Sequence, residues 1–234
     1  QTYKEAEYLI GKVLKHTNKI KNVNIVFCPP FVWLTDFSHK NKSRAFFGAQ
    51  NIFWKEKGAF TGEISPKMLK SSNVDYVIIG HSERRIWLNE TDELINKKLK
   101  AALNEKLIPI FCIGENKNES KSEVLEKQLK NSLKNIPGNQ VKNIIIAYEP
   151  VFAISTSGGD IVSVDETMSS VILIRSILAK LYNRQVADKV SVLYGGSVND
   201  KNAHLYTKGA GVNGLLVGGA SLNAEEFIKI VKSV

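Results

Sequence analysis

The stretch YVIIGHSERR, residues 76–85, sets the pattern from which the fold can be predicted. It opens with four aromatic and β-branched residues, which are typical of a buried strand. Gly80 breaks this run, and His81 and four polar or charged residues follow, as in a turn that leads into a helix. The stretch therefore predicts a buried strand that ends in an imidazole near the start of a helix.

Similar apolar runs recur along the chain and alternate with helical patterns. Besides residues 75–79, the predicted strands lie near residues 23–27, 44–48, 108–112, 143–148, 190–194 and 213–217. The spacing of apolar residues predicts eight helices, among them those at residues 2–17, from about residue 31, at 94–103, 124–133, 171–181 and 227–231, and more weakly at 65–71. This alternation is typical of a parallel sheet covered by helices, and we interpret residues 1–234 as a single domain.

The number of elements narrows the fold class. We count seven strands and eight helices, and the unmatched helix is the first, where Thr2 and Glu5 have the spacing of a capping box. A closed barrel of this kind has eight strands, each followed by a helix. The sequence therefore predicts an α/β protein with a (β/α)8 barrel whose first β-strand is absent from this sequence. An open, doubly wound sheet is the alternative topology.

The composition excludes several classes of protein. The chain is 43% hydrophobic and 24% charged, as in an ordinary globular protein with a sizeable core. Its net charge is +9, but the lysines are scattered along the sequence, so we expect no nucleic-acid partner. Cys28 and Cys112 lie in apolar runs, which indicates free thiols. No apolar run approaches the ~20 residues that cross a bilayer, so we expect a cytoplasmic protein with no membrane partner.

The candidate site residues follow predicted strands. Glu149 comes directly after the strand at 143–148, so a carboxylate joins His81 at the carboxyl ends of the strands, where barrels place their reactive groups. Gly195-Gly196-Ser197 and Gly218-Gly219 follow the last two strands. Glycine pairs let backbone N–H groups approach a phosphate, although a single pair is also explained by a tight turn. Together these residues predict proton transfer on a small sugar phosphate.

Five motifs of the chain resemble those of the triosephosphate isomerase family. They are IGHSERR at 79–85, FCIGE at 111–115, AYEPV at 147–151, YGGSV at 194–198 and LVGGAS at 216–221. The resemblance implies a TIM barrel that interconverts dihydroxyacetone phosphate and D-glyceraldehyde 3-phosphate in glycolysis and gluconeogenesis. It implies no cofactor and no metal.

What is known of that family assigns expected roles to individual residues. Glu149 is expected to be the base and His81 the electrophile, with Ser82 and Glu83 as supporting catalytic residues. The expected substrate-binding residues are Ser155, Ser197, Gly218 and Gly219. Residues 150–159 resemble the family's lid, but Phe152 stands where Trp is common and Ser155-Thr156-Ser157 stands where Gly-Thr-Gly is common. We expect these departures to affect the kinetics of the lid.

The family's first strand ends in an Asn-x-Lys motif, and this sequence has no such strand. Lys12 lies inside the first helical pattern and is not a substitute. Loss of a preorganised cation costs on the order of 10² to 10³ in rate, so the alternative function is a crippled phosphate-binding or interaction protein. We expect the sequence to omit a dozen or so N-terminal residues of the natural protein, with a natural seven-stranded variant as the rival interpretation.

The segment of residues 50–63 is long for a connection between a strand and a helix. It carries Ile52, Phe53, Trp54 and Phe60, which is more apolar surface than solvent normally faces. Either these side chains fold back over their own barrel or they meet a partner. The family resemblance implies that the partner is an identical subunit, so we expect a homodimer through residues 50–63.

Overall fold

The computed structural model describes residues 1–154 and 159–234. The strands are β1 (Val26–Phe27), β2 (Phe46–Ala49), β3 (Tyr76–Ile79), β4 (Ile108–Ile113), β5 (Ile145–Tyr148), β6 (Ser191–Tyr194) and β7 (Gly214–Leu215). The α-helices are α1 (Tyr3–Thr17), α2 (Phe31–Lys40), α3 (Pro66–Ser71), α4 (Ser82–Trp87), α5 (Asp92–Asn104), α6 (Lys121–Ser132), α7 (Gly138–Val141), α8 (Val164–Leu181), α9 (Arg184–Lys189), α10 (Ala203–Gly209) and α11 (Ala224–Ser233). Two short 3₁₀ helices span Val151–Ala153 and Gly219–Leu222.

The strands form one parallel sheet in the order β1-β2-β3-β4-β5-β6-β7. A doubly wound sheet reverses its strand order at a switch point, so this uninterrupted order excludes the alternative topology. Residues of both β1 and β7 line one cavity, which shows that the sheet curls and brings its first and last strands near each other. The prediction of an α/β fold of the TIM-barrel type is therefore confirmed.

Alternation along the strands divides the apolar residues between two clusters. Tyr76, Ile110 and Ala147 point into the barrel, where they form a small buried cluster with Cys112. Their neighbours Val77, Phe111 and Ile146 point outward and pack in the larger core under the helices. Successive side chains of a strand face opposite sides, so both clusters come from the same short strands.

Several helices begin earlier than periodicity predicts, such as α8 at Val164 instead of residue 171, but α1 and α3 begin at clear polar caps. Thr2 and Glu5 form the predicted capping box at α1, and Ser65 caps the weakly predicted α3. The spacing of apolar residues does not identify the three short helices α4, α7 and α9 as elements of their own. Each has six residues or fewer, which is less than two helical turns. Among the helices of the described residues, none combines the length and the apolar character needed to cross a bilayer.

Candidate active site

His81 follows β3 and caps the N-terminus of α4. Its ring Nδ1 accepts a hydrogen bond from the backbone N–H of Glu83, at 3.3 Å. In the neutral ring this bond assigns the proton to Nε2, the nitrogen that faces the cavity side of the ring. Gly80 before it has φ +76°, a conformation that L side chains rarely adopt, and this turn directs His81 over the barrel.

Glu149 follows β5, and its side chain is buried beside His81. Oε1 lies 3.5 Å from Nε2 of His81, whereas Oε2 is buried with no hydrogen-bond partner among the described residues. Burial raises the pKa of Glu149, and the positive form of His81 and the Cys112 thiol partly oppose this effect. A carboxylate with a raised pKa is suited to accept a proton near neutral pH.

Two glycines make room for Glu149. A Cβ on Gly114 would lie 1.8 Å from the backbone oxygen of Glu149, and a Cβ on Gly195 would lie 2.8 Å from its Cγ. Real Cβ atoms do not approach other atoms so closely, so any side chain at either position would displace the carboxylate. Sequence reasoning treated Gly195 only as a phosphate-binding residue and gave Gly114 no role, although Gly114 lies in the FCIGE motif.

Ser82 and Glu83 differ in their relation to the pair. Ser82 is buried, and its backbone N–H lies beside the Glu149 carboxylate, where it lowers the pKa of Glu149. The side chain of Glu83 is 54% exposed, and its Oε2 lies 3.7 Å from Nδ1 of His81. Glu83 thus stands on the outer side of the imidazole, away from the Glu149 carboxylate.

The two glycine-rich turns lie in the same cavity as His81 and Glu149. Ser197, Gly218 and Gly219 line this cavity, which has a volume of about 1170 Å³. The hydroxyl of Ser197 donates to the backbone oxygens of Ala153 and Gly159, at 2.8 and 3.1 Å. Ser197 therefore joins both ends of the segment that resembles a lid. The expected site residue Ser155 lies outside the described residues.

The cavity is not lined by any lysine or arginine of the described part of the chain. Within that part, the groups available to a phosphate are therefore backbone N–H groups, the Ser197 hydroxyl and other neutral polar atoms. The same residues contain no cluster of three or more His, Cys, Asp or Glu side chains that could hold a metal ion. The arrangement joins a buried carboxylate, an imidazole N–H group and two glycine-rich turns in one cavity.

Comparison with known proteins agrees with this geometry. The family model for triosephosphate isomerase matches residues 1–234. Proteins named triosephosphate isomerase include one from Dictyoglomus thermophilum, 44% identical over 238 residues that cover 100% of this chain and 95% of the relative. One from Clostridium tetani is 43% identical, with 99% and 90% covered, and one from Alkaliphilus oremlandii is 42% identical, with 97% and 93% covered. The chain belongs to the triosephosphate isomerase family of enzymes.

Proposed function

We propose that the chain interconverts dihydroxyacetone phosphate and D-glyceraldehyde 3-phosphate, as one domain over residues 1–234. The observation that carries this proposal is the 3.5 Å approach of Glu149 Oε1 to His81 Nε2 within the cavity that contains both glycine-rich turns. A protein that only bound phosphate would need neither side chain. The family's activity supports a role in glycolysis and gluconeogenesis in the cytoplasm, without cofactor.

In this proposal the proton moves between adjacent carbons of the substrate. The Glu149 carboxylate takes a proton from the carbon next to the carbonyl, and the electron pair of that C–H bond forms the enediolate. The Nε2–H group of His81 donates to the substrate oxygens, where negative charge develops. The proton of the substrate hydroxyl passes through His81 to the former carbonyl oxygen, and Glu149 returns its proton to the neighbouring carbon, so the enzyme ends in its starting state. Ser82 and Glu83 support the pair.

The phosphate is proposed to bind at Ser197, Gly218 and Gly219. Gly218 and Gly219 are exposed at the cavity wall, and Gly219 opens a 3₁₀ turn whose first N–H groups are available to an anion. The Ser197 hydroxyl would exchange its bonds to Ala153 and Gly159 for a phosphate oxygen. Substrate binding would in this way be linked to the ends of residues 150–159.

A second candidate function is phosphate binding with little catalysis. The absence of lysine and arginine from the described cavity lining favours it, because no side-chain cation of that lining offsets the charge of an enediolate. The two candidates differ in whether a supplied cation restores turnover.

We predict that adding an N-terminal strand that ends in Asn-x-Lys raises turnover by at least about 10²-fold over the 234-residue chain. The cation would enter the cavity between β1 and β7 and stabilise the enediolate. The measurement is coupled conversion of glyceraldehyde 3-phosphate, and the matched control is the same strand with Met in place of Lys. Equal turnover with Lys and Met would rule out the cation as the missing component and would favour the binding function.

We also propose a homodimer through residues 50–63. Within this segment Ile52 and Phe53 are buried, and the Phe53 ring packs at a tilt against the rings of Trp54 and Phe60. Phe60 remains 41% exposed, and Ile86 and Trp87 at the end of α4 and the following Leu88 are also exposed. These side chains offer the apolar area that an interface between two copies needs.

We expect analytical ultracentrifugation to give the mass of two chains, and Phe60→Asp to shift it toward one chain. The introduced charge would be buried without a partner in the interface. Val32→Asp is the matched control, since Val32 is 80% exposed on α2. A Phe60→Asp protein that stays as dimeric as the Val32→Asp protein would place the interface elsewhere.

A further inference from the structure

The connections that precede the strands share one face of the molecule. All seven strands are parallel, so their amino-terminal ends lie together, opposite to His81 and Glu149. We call this the amino-terminal face. It comprises residues 18–25, 41–45, 72–75, 105–107, 133–144, 182–190 and 210–213.

The amino-terminal face is strongly basic. It has nine basic residues, all of them exposed: Lys19, Lys21, Lys42, Arg44, Lys106, Lys134, Lys142, Arg184 and Lys189. Its acidic residues are Asp75, Glu105 and Asp188, so its net charge is +6. Within the described residues, only Arg184 of the nine lies at ion-pair distance from a carboxylate, Asp188 at 3.6 Å. Eight cations on this face thus have no carboxylate within ion-pair distance in the described chain.

The opposite face lacks this positive charge. Its segments are residues 28–30, 50–65, 80–81, 88–91, 114–120, 149–163, 195–202 and 216–223. They contain four basic and eight acidic residues, but Glu90, Glu115 and Glu149 are buried, so the charged groups at the surface sum to −1. The molecule is therefore polarised along the barrel axis, and a negatively charged surface would orient it with the amino-terminal face toward that surface.

We propose that the amino-terminal face adsorbs to an acidic phospholipid surface. The cations precede β1, β2, β4, β5 and β6, so they are spread around the barrel and suit a flat partner better than a rod. Nucleic-acid surfaces commonly add aromatic side chains that stack on bases. The aromatic residue of these segments is Tyr182, whose hydroxyl bonds to the backbone oxygens of Leu133 and Ile136. Adsorption in this orientation leaves His81 and Glu149 on the face that is turned toward solvent.

The test is co-sedimentation with vesicles of phosphatidylcholine, with and without phosphatidylserine. We expect binding only to the phosphatidylserine vesicles, and we expect ~1 M salt to abolish it because the screening length falls to ~3 Å. Lys42→Glu/Arg44→Glu should weaken binding by at least about tenfold, since each basic residue near an acidic surface contributes to adsorption. The matched control, Lys4→Glu/Lys67→Glu, changes the net charge equally in the first turns of α1 and α3. These turns begin at the opposite end of the barrel.

Either of two results would overturn the proposal. One is equal loss of binding in both double variants, which would mean that net charge alone acts and that no face is selected. The other is retention on duplex RNA without retention on phosphatidylserine vesicles, which would assign the face to a nucleic acid. Turnover measured on both variants shows whether each has kept its fold.

Discussion

Glu149→Gln is expected to lower turnover by about 10²- to 10⁴-fold, the range that a positioned general base contributes. The substitution removes the proton acceptor. Because Gln matches the size of Glu, it still fills the space beside Gly114 and Gly195. The measurement is the coupled assay of glyceraldehyde 3-phosphate conversion. Glu123→Gln, an exposed carboxylate on α6, is the matched control and should leave turnover unchanged. Equal turnover of both variants would show that Glu149 is not the base.

The same substitution is expected to raise the free energy of unfolding at neutral pH by about 1–2 kcal/mol, because it removes a buried charge whose Oε2 has no partner in the described residues. Burial raises the pKa of Glu149 in the folded protein. Between the ordinary carboxyl pKa and this raised pKa, the folded state therefore holds a proton that the unfolded chain has already released. Stability therefore falls as pH rises from the ordinary carboxyl range through the raised pKa. Glu149→Gln should flatten this fall in urea titrations, and an unchanged pH profile would contradict the assigned cause.

The sequence is sufficient to predict the sheet and the positions of His81 and Glu149 relative to it. Buried parallel strands have continuous apolar runs, so the residues of β3 and β5 are recognisable as strands from their composition alone. Parallel strands end at one edge of the sheet, and this rule brings His81 and Glu149 together. Their distance and the orphaned Oε2 could not be predicted, because they depend on contacts between residues that lie far apart in the chain.

The distribution of charged side chains over the folded surface is the feature that the sequence pattern predicts least well. The lysines are scattered along the sequence, and this was the reason to expect no nucleic-acid partner. Folding gathers them, because each connection before a strand returns to the same face. Lys21 and Lys189 are far apart in the chain and share the amino-terminal face. Scatter in sequence is therefore weak evidence against a charged surface in a fold that repeats one unit.

Lys98→Met is expected to lower the free energy of unfolding by about 3–5 kcal/mol, the cost of leaving one partner of a buried ion pair alone. Lys98 and Glu90 are both buried, and the ammonium donates to Glu90 and, at 2.7 Å, to the Asn51 side chain. Desolvation acts to raise the pKa of Glu90, but Lys98 and Arg84 outweigh it and hold the pKa below its usual range. Urea unfolding followed by circular dichroism measures the loss. Lys97→Met, an exposed neighbour on α5, should change stability by less than about 0.5 kcal/mol.

The double variant Lys98→Met/Glu90→Gln separates the charge from the packing. If the uncompensated Glu90 carboxylate causes the loss, neutralising it should recover about 1–3 kcal/mol, the coupling energy of residues in one network. Arg84 would then lose the carboxylate that accepts from its Nε at 3.1 Å, but its side chain is 28% exposed and can be hydrated. A double variant no more stable than Lys98→Met would mean that the Asn51 contact holds the network together. In that case Asn51→Ala alone should reproduce the loss, because Asn51 joins this buried pair to the segment proposed to form the dimer.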